Sequence, residues 1–341
     1  MILLLTAGLW LTGSCDFETT EIEEPMPENH KKDFAIALHG GAGVISRDID
    51  PEVRDNYLSS LEEALTLGRD LLADGGSSLD AVEAVIRHME DDDRFNAGRG
   101  AVFTSEEKHE LDASIMSGFD LNAGAVTGVR TVKNPISLAR KVMEESQHVM
   151  FAGDGAEQFA DETNIERVAN SYFSTERRRE QLQQARDQAA VMLDHSGDSG
   201  LKGKRDRYST VGVAALDRDG NLAAGTSTGG MTNKKPGRVG DSPVIAAGTY
   251  ADNNSCAVSA TGHGEKFIRN VVAYQICAIM EYQGLSLAEA ARSVIHEKLD
   301  KGDGGIVAVD KQGNVTLEFS TAGMFRGAAD SDGLFEVAIW D

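Results

Sequence analysis

The chain has 341 residues, 41% hydrophobic and 26% charged, enough to close one large core or two small ones. Its formal net charge of −22 repels phosphate backbones and anionic lipid, which argues against nucleic acid or an acidic membrane surface as a partner. The 36 glycines against 6 prolines point to tight turns and close backbone approaches rather than a proline-rich linker protein.

Residues 1–15 are apolar but fall short of the ~20 residues a membrane-spanning helix needs, and they fit the core of a secretory signal. The ending Thr12-Gly13-Ser14-Cys15 resembles a bacterial lipobox, although no Lys or Arg precedes the run and Thr12 stands where Leu is usual. The expectation is an exported protein, periplasmic or anchored in a bacterial envelope by lipid on Cys15. Residues 16–33, acidic and with two prolines, read as a flexible tether.

Ordered structure is expected from Phe34. Phe34–Leu38 reads as a buried strand, followed by His39-Gly40-Gly41-Ala42-Gly43. Asp50-Pro51 signals a helix start, and Val53, Tyr57, Leu58, Leu61, Leu65 and Leu72 recur at helical spacing. A second helix covers about Ser78 to Met89. Gly100–Thr104 and Glu110–Met116 read as paired strands, Pro135–Val142 as a helix and Gly155–Ala160 as a short one. Thr175–Leu193 reads as a surface helix by propensity, and 194–209 as a mobile linker. Then comes a hairpin: strand Thr210–Leu216, turn Asp217–Asn221, strand Leu222–Thr228. One long amphipathic helix follows Gly264 and another spans Leu287–Leu299. Strands at Gly305–Val309, Val315–Phe319 and Phe335–Trp340 close the chain. Strands cluster with strands and helices with helices, without βαβ alternation. The expected class is therefore α+β, with two sheets face to face and helices outside.

Cys256 and Cys277 lie in apolar patterns and read as small buried hydrophobes. With no CxxC pair and no HExxH among the 8 histidines, zinc chemistry has no footing. Gly40-Gly41-Ala42-Gly43 after a strand lacks the full dinucleotide-binding fingerprint.

The chemistry concentrates downstream. Thr210 opens a strand directly after the linker. Within a chain its hydroxyl is a weak nucleophile. Cutting the preceding bond would free an α-amine of pKa about 7.7–8.0 on the same residue, able to take the hydroxyl proton. Taken alone, Thr210 reads more readily as a β-branched residue starting a strand, and the downstream sequence is what changes the reading. The run from Thr226 to Pro243 is rich in Gly and Thr and has no core periodicity. It carries Arg238, suited to hold a carboxylate, and Asp241, suited to hold an ammonium. Thr261-Gly262-His263-Gly264-Glu265 ends a strand, where a hydroxyl and an amide can stabilise an oxyanion, or Thr261 can cap a helix.

These runs, with Phe95–Thr104, Glu110–Ala113 and Ser320–Arg326, resemble the plant-type asparaginase/isoaspartyl aminopeptidase family of N-terminal-nucleophile hydrolases over roughly Phe34 to Arg326. The resemblance implies a four-layer αββα sandwich cut between Ser209 and Thr210 into two subunits of one domain, 34–209 and 210–341. It implies Thr210 as nucleophile, Thr228 as its hydrogen-bond partner and Asn96 as a support of their surroundings. Arg238 and Asp241 would bind the substrate's α-carboxylate and α-ammonium, and Thr261 and Gly262 would form the oxyanion hole. It implies no cofactor for the chemistry, but a structural sodium ion on backbone carbonyls of Met89, Glu90, Asp92, Phe95, Ala97 and Arg99. The substrates would be asparagine and β-aspartyl dipeptides, and the assembly a homodimer of cleaved pairs. Ser209 departs from the Gly or Asp more frequent before the cut, and an export segment is unusual in a largely cytoplasmic family. The alternatives are a glycosylasparaginase, which typically carries TSTNG where this chain has Thr226-Ser227-Thr228-Gly229-Gly230, and a non-catalytic, lipid-anchored amino-acid-binding protein. An endopeptidase with the same Thr has a different binding loop.

Overall fold

The computed structural model describes residues 31–187 and 210–341. The expected signal segment with Cys15, most of the tether, the linker 194–209 and Ser209 lie outside them. The described residues contain no helix long and apolar enough to cross a membrane.

Twelve strands form two sheets. The larger has eight strands: β1 (Ala35–Gly43), β2 (Leu111–Ser117), β3 (Ala123–Val129), β4 (Met150–Ala152), β5 (Val211–Leu216), β6 (Leu222–Thr228), β11 (Gly323–Asp330) and β12 (Phe335–Ala338). Their spatial order is β12-β11-β1-β5-β6-β2-β3-β4, antiparallel except for β3 against β4. The smaller sheet runs β10-β9-β8-β7, from Val315–Phe319, Gly304–Asp310, Cys256–Gly262 and Thr249–Ala251.

Helices α1 (Pro51–Ala73), α2 (Ser78–Asp91) and α3 (Pro135–Glu145) cover the outer face of the large sheet. Their apolar stripes, including Leu61, Leu65, Val82, Val85, Ile86 and Leu138, build the first core against it. A second core lies between the sheets, where small side chains such as Ala35, Ala37, Ala214, Ala224 and Ala257 let the layers approach. A third joins the small sheet to α7 (Val272–Gln283) and α8 (Leu287–Ser293). The four-layer α+β sandwich is as expected. Asp50 caps α1 by accepting from the Glu52 N–H, and Ser286 with Glu289 forms a capping box on α8.

Four sequence expectations are corrected. Gly100–Thr104 is not a strand. β2 pairs instead with β3 and β6, and Thr104 makes only an isolated bridge to Lys234. The long helix after Gly264 is broken into α6 (Gly264–Asn270) and α7 at Val271, which has φ +49. The break is tertiary in origin, because the N–H groups of Ala273 and Tyr274 turn to the carbonyls of Ala247 and Ala246. Thr261 is a strand residue, and the N-cap of α6 is His263. Cys256 and Cys277 are joined as a disulfide, their Cα atoms 5.4 Å apart where β8 meets α7.

Candidate active site

The β5–β6 hairpin, closed by the Asp217–Asn221 turn, sets Thr210 beside the end of β6. Thr210 Oγ donates to Thr228 Oγ at 3.1 Å, and Thr228 Oγ also accepts the Gly230 N–H at 2.9 Å. Both threonines are buried. Thr210 has φ +32, outside the regions a β-branched residue normally occupies. Such a backbone costs roughly 1–3 kcal/mol.

Asn96 braces the partner threonine from below. Its amide donates to the Gly230 carbonyl at 2.7 Å, and its Oδ1 accepts the Val102 N–H at 2.9 Å. It belongs to the loop after α2, whose carbonyls were expected to hold sodium. That loop closes on Gly98, at φ +48, where a Cβ would stand 2.2 Å from the Glu90 carbonyl oxygen. A donor set of neutral backbone oxygens suits a hard monovalent cation and leaves no side-chain signature. Among the described residues no cluster of three or more His, Cys, Asp or Glu could hold a metal. The Glu90 side chain turns inward. Burial pushes its carboxyl up to about 8, although Ser227 Oγ donates to it at 2.6 Å.

On the other side stand the charged groups. Arg238 is clamped by Glu265, with Nε and Nη2 each 2.9 Å from a carboxylate oxygen. Its Nη1 faces Gly230 and Gly240. Glu265 sits in the first turn of α6. Asp241 lies against Gly264 and is buried, with no hydrogen-bond partner for Oδ2 among the described residues. Burial pushes its carboxyl up to about 7, against the opposing pull of a backbone hydrogen bond and of Arg238. Lys234 is wholly buried, donates to the Glu110 carbonyl at 2.8 Å and lies 3.9 Å from Asp112 Oδ2.

Thr261 and Gly262 end β8 opposite Gly305 and Gly304. Thr261 Oγ accepts from the Ala42 N–H at 3.4 Å, and His39, three residues earlier on β1, contacts the Thr210 carbonyl at 3.1 Å. β1 therefore ties the expected oxyanion donors to Thr210. Thr210, Thr228 and Asn96 are linked through Gly230, while Arg238 and Asp241 stand on the loop that follows, Arg238 bonded to Glu265. Sequence reasoning missed Glu265, Lys234 with Asp112, and His39. All fall in stretches already singled out by motif, but their pairing is set by tertiary folding.

Two facing, mainly antiparallel sheets between helical layers, with a threonine heading a central strand, define the fold of an N-terminal-nucleophile hydrolase. The sequence profile of a family described as asparaginase matches residues 32–339, and the chain belongs to that family. It is 53% identical over 296 residues to the isoaspartyl peptidase of Escherichia coli (strain K12), covering 85% of this chain and 91% of that protein. A putative isoaspartyl peptidase/L-asparaginase of Dictyostelium discoideum is 46% identical over 323 residues, 87% of this chain and 93% of the relative. A probable isoaspartyl peptidase/L-asparaginase 2 of Arabidopsis thaliana is 44% identical over 324 residues, 90% and 99% respectively.

Proposed function

We propose that the chain cuts itself before Thr210 and then hydrolyses the side-chain amide of asparagine and the isopeptide bond of β-aspartyl dipeptides, releasing aspartate. The observation that carries this is the Thr210–Thr228 hydroxyl pair at the head of β5, beside a loop bearing Arg238 and Asp241.

The substrate's α-carboxylate docks on the guanidinium edge that Glu265 leaves open, and its α-ammonium on Asp241. This turns a bimolecular attack into an oriented one. Thr210 Oγ bonds to the side-chain carbonyl carbon while its proton passes to the freed α-amine. Thr261 and Gly262 stabilise the negative oxygen. The C–N bond then breaks. The leaving nitrogen takes the proton and departs as ammonia or as the amine of an amino acid. Water opens the remaining ester, giving aspartate and the free threonine hydroxyl.

Thr228 aligns the nucleophile, and Asn96 holds the Gly230 carbonyl and so the turn that donates to Thr228. Sodium on the carbonyls of Met89, Glu90, Asp92, Phe95, Ala97 and Arg99 would stiffen the loop bearing Asn96. The reading includes export, with lipid on Cys15 and assembly as a homodimer of cleaved pairs. Export draws support from the apolar segment 1–15 and from the Cys256–Cys277 disulfide, a bond that persists mainly in oxidising compartments.

Intact-mass analysis of active protein tests the core of this. Two fragments joining at Ser209–Thr210 are expected, and a single unbroken active chain would overturn it. A mass increment on Cys15 reports lipidation in the same spectrum.

A further inference from the structure

Under the nucleophile lies a layer of buried polar groups that the reaction above leaves unused. His39, fully buried on β1, has Nδ1 3.1 Å from the Thr210 carbonyl and Nε2 3.0 Å from Ser259 Oγ. A carbonyl only accepts, so Nδ1 carries the proton and Nε2 accepts from Ser259. Burial keeps the ring neutral by pushing its pKa down to about 3, against the rise from the Thr210 contact. With the Ser259 proton committed to the ring, Ser259 Oγ accepts from Thr226 Oγ at 2.7 Å. Thr226 in turn has Thr249 Oγ at 2.6 Å. Thr226 also faces the Gly248 carbonyl at 3.1 Å, a second acceptor for its proton. The backbone makes room for these groups: a Cβ on Gly212, two residues after Thr210, would stand 1.9 Å from Ser259 Oγ and 2.5 Å from His39 Nε2.

We propose that His39, held in its Nδ1–H tautomer by the Thr210 carbonyl and anchored at Nε2 by Ser259, is the positioning residue that fixes the Thr210 peptide and thereby the direction of both its hydroxyl and its liberated amine. The inference rests on Thr210 being the nucleophile. It goes further by making a neutral imidazole and three hydroxyls, none of which touches substrate, part of the machinery that orients attack.

The test is kinetic and spectroscopic, on full-length cleaved protein with β-aspartyl-leucine as substrate. His39→Ala is expected to lower kcat on the order of 10²-fold, with KM held within about twofold. His39→Asn, whose Nδ2–H can stand where Nδ1–H stood, should recover most of that loss, which a packing role alone would not allow. Ser259→Ala should cost roughly tenfold in kcat and shift the ¹⁵N signal of His39 Nε2, which loses its hydrogen-bond donor, while the proton stays on Nδ1. An unchanged kcat in His39→Ala overturns the proposal. So does an Asn variant no better than Ala, or a wild-type ring protonated on Nε2. Should His39→Ala fail to fold, Ser259→Ala and the wild-type ¹⁵N spectrum decide. Wild-type turnover and its loss in Thr210→Ala are measured alongside. Failure there strikes the assignment of the nucleophile, whereas the ring tautomer strikes only this inference.

Discussion

The two sides of the site are built from different materials. The side proposed to supply the nucleophile is neutral: Thr210, Thr228 and the Asn96 amide are linked through Gly230 by hydrogen bonds whose donors and acceptors are already paired. The substrate-head side is ionic and incompletely paired. Among the described residues Arg238 is held by Glu265 on one edge, and Asp241 is buried with an unpartnered oxygen. The first is organised before any ligand arrives. The second is organised to be completed by one, since a buried carboxylate without a partner is costly until an ammonium reaches it. The contrast teaches where to look for each kinetic effect: kcat on the neutral side, KM on the ionic side.

Substitutions can break that division. Thr210→Ala removes the attacking oxygen and should leave one uncut chain with no turnover; two fragments on a denaturing gel would refute the scheme. Arg238→Ala deletes two or more charged hydrogen bonds to the carboxylate and should raise KM roughly 10²-fold with a much smaller change in kcat. Steady-state kinetics with asparagine reads this, and an unchanged KM would end its assigned role. Thr228→Val keeps shape but loses the hydroxyl, so kcat should fall about tenfold while KM holds. The smallest effect sharpens the contrast. Asp241 binds an ammonium only as carboxylate, and its pKa is about 7. KM should therefore rise as pH falls, by about fivefold between pH 7 and pH 6, following the ionised fraction. kcat should fall over a higher range, as the Thr210 amine becomes protonated near its own pKa of about 7.7–8.0. In Asp241→Asn the KM profile should flatten and the kcat profile persist.

Much of this was readable in the residues. The β5–β6 hairpin follows from its turn chemistry, with Gly220 at φ +83 supplying the turn. Arg238 and Asp241 stand out because the loop around them has no core periodicity. What escaped did so for physical reasons. β11, central beside β1, includes Gly323, Gly327, Ala328 and Ala329, residues of low strand propensity that are buried for close packing. Gly100–Thr104 is apolar enough to pass for a strand, yet its neighbours offer no ladder. Nothing in Arg269-Asn270-Val271-Val272 marks a helix break, because the bonds that cause it come from Ala246 and Ala247. The disulfide and the Arg238–Glu265 clamp are pairings across the fold, and spacing along the chain does not encode them.

The order of the large sheet has a consequence for the life of the protein after the proposed cut. β1, β2, β3 and β4 belong to the piece before Thr210, and β5, β6, β11 and β12 to the piece after it, so the order β12-β11-β1-β5-β6-β2-β3-β4 interleaves them. The small sheet lies wholly in the second piece, but in the large sheet neither piece's strands are contiguous. The pieces cannot drift apart without unzipping the ladders β11–β1, β1–β5 and β6–β2, and the Cys256–Cys277 bridge lies wholly within the second piece. The nicked molecule should thus melt as one body, while its refolding becomes a second-order reaction that slows on dilution.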